Sequence, residues 1–189
     1  MTFRRTLLLV LTAEVLVVLA AALLYGFNIS GLQGATRFSG RLSALIFGLI
    51  FILLPYHREK LAAILSDKFF LAFAVAHTIH FIELFSYNMV IGGTFIPLRV
   101  AGGALAYVLI LTMPFVINRI AESKRFILEN IYLFYIWLVF FITYLPRIQG
   151  KLPYVGGTYP EFVVMFAWIC LLLVIRISLA IANRKPHHA

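Results

Sequence analysis

Long apolar runs separated by short polar stretches make up almost the whole chain. Six of them are recognised, over residues 6–26, 38–56, 69–91, 100–117, 126–145 and 160–182. A helix needs about 20 apolar residues to cross a bilayer. The second run is uniformly apolar only from Leu42 and is drawn back to Phe38, with Arg41 snorkelling to the interface. Strands of a membrane β-barrel would be segments of about ten residues alternating in polarity. These runs are too long and too evenly apolar for that. The pattern predicts an all-α polytopic membrane protein, one bundle of six transmembrane helices in a single domain. Short connections make consecutive helices antiparallel neighbours.

Composition agrees. Of 189 residues, 63% are hydrophobic and 12% charged, with a mean hydropathy of +1.01, against about 25% charged in soluble domains. A soluble enzyme, a disordered tail and a disulfide scaffold are excluded; Cys170 is the single cysteine. The net charge of +9 does not mark a nucleic-acid binder, because the basic residues sit in short clusters between the runs. With the N-terminus inside, inner segments hold ten Lys and Arg and outer loops five, Arg176 being left out. That bias predicts a multi-pass protein of the cell (inner) membrane with both termini cytoplasmic and the lipid bilayer as its first partner. Arg4, Arg5 and Ala20–Ala22 give the first run a signal-peptide look. Its length and Glu14 favour a retained span.

Charges in hydrocarbon are costly and mark functional candidates. They are Glu14, His77, His80, Glu83 and Arg176. At 1.5 Å rise per residue, Glu14 and His77 lie roughly 12 Å from the inner ends of their spans, and Arg176 roughly 9 Å. Tyr132 and Tyr135 fall at similar depth. The expectation is one buried polar cluster with a Glu14–Arg176 ion pair and His77 beside it. His77, His80, Leu84 and Tyr87 share one helix face, with Glu83 offset. A dedicated metal site would need three or four converging ligands, and no other span offers a second His or Cys at that depth. Gly40, Gly48, Gly102 and Gly103 are expected at close helix contacts.

Several short motifs carry a family likeness. The second span opens on Ser39-Gly40-Arg41-Leu42-Ser43-Ala44-Leu45 and closes on Leu54-Pro55 before a basic loop. The third carries Ala76-His77. The fourth reads Gly102-Gly103-Ala104-Leu105 and ends Leu111-Thr112-Met113-Pro114, with a basic loop and an aromatic fifth span after it. Over residues 38–145 this order resembles the ferric-reductase-like transmembrane domain, a family of six-helix haem-b proteins. The resemblance implies His77 as the inner axial ligand of a haem. The fifth span, however, has no histidine. Tyr132, or Tyr135 in a shifted register, stands where the resemblance implies the inner partner, and no histidine lies near Val90 and Ile91 for an outer haem.

Two function classes follow. In the first, the chain is a haem-free or haem-degenerate membrane subunit working with a partner protein, or a small proton-coupled transporter. In the second, it is a one-haem electron-transfer module with His77 as axial ligand and His80, Tyr132 and Arg176 nearby. A separate reductase or quinol would then supply its electrons.

Overall fold

The computed structural model describes residues 3–93, 97–151 and 158–183, with side chains described at all of these except 3 and 97–101. The segment holding Pro153, Tyr154, Gly156 and Gly157, the side chain of Arg99, and the terminal Arg184, Lys185, His187 and His188 lie outside this description. Among the described residues the chain is helical, in the order α1 (Phe3–Tyr25), α2 (Ile29–Leu53), α3 (Arg58–Leu65), α4 (Phe69–Val90), α5 (Pro97–Val116), α6 (Glu122–Ile148) and α7 (Tyr159–Ala182). Six of the seven are long and apolar enough to cross a membrane; α3 is the exception. The expected all-α bundle of six spans is therefore present, and the protein is an integral membrane protein.

Several span ends shift by three or four residues, α6 for example running Glu122–Ile148, and the start of α2 shifts most. Helix α2 begins at Ile29, nine residues before Phe38, because Asn28 caps it: its side chain accepts from the backbone N–H of Ser30 at 2.8 Å and of Gly31 at 3.2 Å. Gly26, at φ +84°, ends α1, and a Cβ on Gly31 would stand 1.9 Å from the Gly26 carbonyl oxygen. The α1–α2 turn is thus only a few residues long, and Arg37 and Arg41 lie inside α2 rather than in a loop. The basic loop after α2 contains α3, whose Leu61 and Leu65 are buried.

Helix α2 packs on α1, α4 and α7, while α4 meets α5, α5 meets α6 and α6 meets α7. Helices α2, α4, α5, α6 and α7 therefore close a ring, and α1 packs outside it against α2 and α4. Phe47, Phe51 and Phe73 are fully buried at the centre. Phe47 touches the rings of Phe51, Phe73 and Phe140 at centroid distances of 5.2–5.5 Å. Outward side chains are apolar, with Leu23 86% and Leu24 67% exposed. Such surfaces on every long helix need lipid to cover them.

Candidate functional site: a histidine-floored chamber

The five ring helices enclose a chamber of about 270 Å³. Its position follows from residue size. Gly103 of α5 faces it with nothing within 4 Å of the place a Cβ would occupy, so the ring stays open there. Toward the termini end the Phe47 cluster closes it.

His77 and His80 of α4 line the chamber. His80 Nδ1 donates to the Thr36 carbonyl at 3.0 Å. Its ring fills the space left by Gly40, where a Cβ would come within 2.8 Å of Cε1. The Ser43 hydroxyl donates to the Gly40 carbonyl at 3.0 Å, and its oxygen lies 3.1 Å from His77 Nδ1. Ser43 thus bridges the Gly40 carbonyl and His77 Nδ1. Both imidazoles are thereby held through Nδ1, and no described hydrogen bond engages either Nε2. Tyr107 stacks on His77 at 4.9 Å between ring centroids, and Phe140 stands edge-on at 5.8 Å.

At its other end the chamber is bounded by Arg37 and Arg41 of α2, Arg147 of α6 and Glu161 of α7. Glu161 is the N3 residue of a capping box: its Oε2 accepts from the Thr158 N–H at 2.7 Å, while Oε1 pairs with Arg41 at 2.8 Å and with Arg37. One carboxylate thus caps α7 and fastens it to α2. Arg147 donates to the Thr143 carbonyl and lies over the Phe162 ring. Three guanidiniums against one carboxylate leave the rim at +2, and the Nε–H groups of Arg37 and Arg147 are buried without a hydrogen-bond partner. The chamber can therefore receive an anionic group at the rim, an apolar body along its walls, and a hydroxyl or iron at the imidazole Nε2 atoms.

The expected polar cluster does not assemble. His77 and His80 come together, and Tyr107, Tyr144 and the three rim arginines join them. Arg176 lies beyond the Phe47 cluster. It donates to Asn130 Oδ1 at 2.5 Å and to the Phe51 carbonyl, and its guanidinium covers the rings of Phe51 and Phe134. Tyr132 is buried against Phe70 with its hydroxyl unpartnered, away from the chamber, and Tyr135 donates to the Gly102 carbonyl at 3.0 Å. Glu14 sits on α1, outside the ring, with Glu83 and Ser39 beside it. The expected Glu14–Arg176 pair is corrected: helical depth was matched, but the helices lie on different sides of α2. A Cβ on Gly102 or Gly103 would likewise meet nothing within 4 Å, whereas Gly40 and Gly48 are closely packed, Gly48 against Trp168 and Leu172.

The rim was not legible in the sequence, because Arg37, Arg41 and Arg147 read as basic residues at the outer ends of spans and nothing along the chain pairs them with Glu161. No group of three or more His, Cys, Asp or Glu side chains able to hold a metal ion occurs among the described residues. Comparison with family models, curated proteins and solved structures finds no match for this chain.

Proposed function

We propose that the protein is a membrane-embedded binding subunit, haem-free on a ferric-reductase-like scaffold, whose chamber takes an amphipathic organic anion. The observation that carries this is an apolar chamber whose lining joins three rim guanidiniums, two of them with a buried Nε–H that lacks a partner, to the paired imidazoles of His77 and His80. Buried donors of this kind are costly unless a partner engages them. A carboxylate or phosphate at the rim completes the arginines; a ligand hydroxyl at the floor donates to His77 or His80. The excess of basic residues in the segments on the termini side supports cytoplasmic termini, and hence a chamber that opens toward the outer face.

A second reading has one specific observation in its favour. A histidine held by Nδ1 with Nε2 free is the arrangement an axial haem ligand requires. The residue types suit a haem held from one side, with His77 or His80 on the iron and Arg37 or Arg147 at its carboxylates, but a chamber of about 270 Å³ would have to widen to admit one. They do not fit ligation across the bundle, since α6 offers Ile136, Val139 and Phe140 opposite and Tyr132 lies elsewhere. The haem would supply one-electron chemistry; the chain would hold the imidazole through Nδ1 and exclude water.

The test is purification in mild detergent from haem-supplied cells, with oxidised and reduced spectra and mass spectrometry of the organic extract. The first reading expects no Soret band and a co-purifying anion that is lost in the Arg37→Gln/Arg147→Gln variant. A Soret band that disappears in His77→Ala or His80→Ala establishes the second. Protein carrying neither overturns both.

A further inference from the structure

A second polar site lies on the opposite side of the α2–α4 contact, between those helices and α1. Glu14 is 3% exposed, and both of its carboxylate oxygens are buried without a hydrogen-bond partner. Glu83 of α4 is half-buried, with Oε2 in the same condition. The two carboxylates are close enough to act on each other electrostatically, and the Ser39 hydroxyl of α2 is adjacent to both. Ser39 is fully buried, and its oxygen also has no partner. Three polar side chains from three helices therefore meet here, with Ser39 within reach of both carboxylates. Glu83 also lines an open groove that runs past Val18, Ala22 and Gly31 to Phe27 and Asn28 at the α1–α2 turn.

We infer that Glu14 and Glu83 form a proton-binding site, a carboxylate pair that takes up one proton through this groove and shares it. The charged neighbours leave no other source of neutralisation. On α2, Arg37 and Arg41 turn to Glu161; on α4, His80 donates to the Thr36 carbonyl and His77 is hydrogen-bonded to Ser43. On α1, Arg4 and Arg5 are exposed near its far end. No described ion pair engages either glutamate. Two adjacent carboxylates in an apolar setting cannot both stay ionised without a cation, because each disfavours the charge of the other. One proton from water converts the pair to an acid and a carboxylate. The Ser39 hydroxyl, adjacent to both, then accepts from the acid O–H and donates its own proton to the remaining carboxylate. A divalent metal ion is the poorer fit, since only two carboxylates meet here and no group of three or more His, Cys, Asp or Glu side chains able to hold one occurs among the described residues.

The experiment uses the full chain in lipid nanodiscs at neutral pH. Infrared spectroscopy should show the carbonyl band of one buried carboxylic acid per chain. A lone buried carboxyl is still disfavoured as an ion, so the band should persist in Glu14→Gln or Glu83→Gln and vanish only in the Glu14→Gln/Glu83→Gln double variant. Dicyclohexylcarbodiimide, which attacks protonated carboxyls in apolar surroundings, should modify one glutamate of the pair per chain at a rate unchanged by sodium or lithium. A wild-type spectrum without the band, a band retained in the double variant, or protection by either cation overturns the proposal. The wild-type labelling result decides the matter if a variant fails to fold.

Discussion

Arg176 on α7 and Asn130 on α6 are joined by a hydrogen bond of 2.5 Å from the guanidinium to the amide oxygen. No described carboxylate pairs with that buried cation, which instead has an amide, a backbone carbonyl and two aromatic faces. Asn130→Leu strands one guanidinium N–H and should destabilise by about 1–3 kcal/mol. Arg176→Met removes the cation together with its demand for partners and should cost less. In the double variant the loss should fall below the sum of the two. Thermal unfolding in detergent measures all three.

Glu14 and Arg176 lie on different sides of α2, so they should behave as independent sites. The effects of Glu14→Gln and Arg176→Gln should add within about 0.5 kcal/mol in a double-mutant cycle. Coupling above about 1 kcal/mol would contradict the placement of α1 outside the ring.

Glycines that look alike in sequence should respond differently. A Cβ on Gly48 would lie 2.9 Å from Trp168 Cζ2 and 3.1 Å from Leu172 Cδ2. Gly48→Leu overpacks the α2–α7 contact and should lower stability by about 1–3 kcal/mol or more. Gly103→Leu meets open space, so it should leave the melting temperature nearly unchanged while filling the chamber and abolishing ligand retention. Equal loss of stability in both would refute the open chamber wall.

Removing the Glu161 carboxylate should separate stability from binding. Glu161→Gln keeps the shape of the α7 cap but releases Arg37 and Arg41, raising the rim from +2 to +3. Stability should fall by about 1 kcal/mol, and affinity for an anionic ligand should rise. Titration of the co-purified anion back onto stripped protein reads the second effect. Weaker binding would show that Glu161 positions the arginines rather than merely neutralising them.

Orientation can be checked with single cysteines in a Cys170→Ser background. Glu59→Cys on α3 should react with an impermeant thiol reagent only from the cytoplasmic side, and Lys151→Cys only from the outer side. The opposite pattern would invert the bundle and turn the chamber to the cytoplasm.

The spans themselves were legible because lipid imposes a length and a composition on every crossing helix, whatever its neighbours. Residues 69–91 and 160–182 match α4 and α7 to within one residue at each end, since polar sequence bounds them on both sides. The His77–His80 pairing was legible too, because it depends only on helical spacing along one element. The start of α2 was not, as it rests on Asn28 turning back on Ser30 and Gly31 rather than on hydropathy.

Which helix faces meet was decided only in three dimensions. Depth along the bilayer follows from counting residues; position around the bundle follows from packing, and a sequence of six greasy helices permits many arrangements. Glu14, His77 and Arg176 share a depth but sit in three places, because α1 lies outside the ring and the Phe47 cluster divides its interior. Glu161 could not be assigned to Arg37 and Arg41, more than a hundred residues away, until α7 was seen against α2. Hydrophobicity is a property each residue carries alone and is therefore written along the chain. A site depends on which side chains face one another, and here only the closed ring of α2, α4, α5, α6 and α7 settles that.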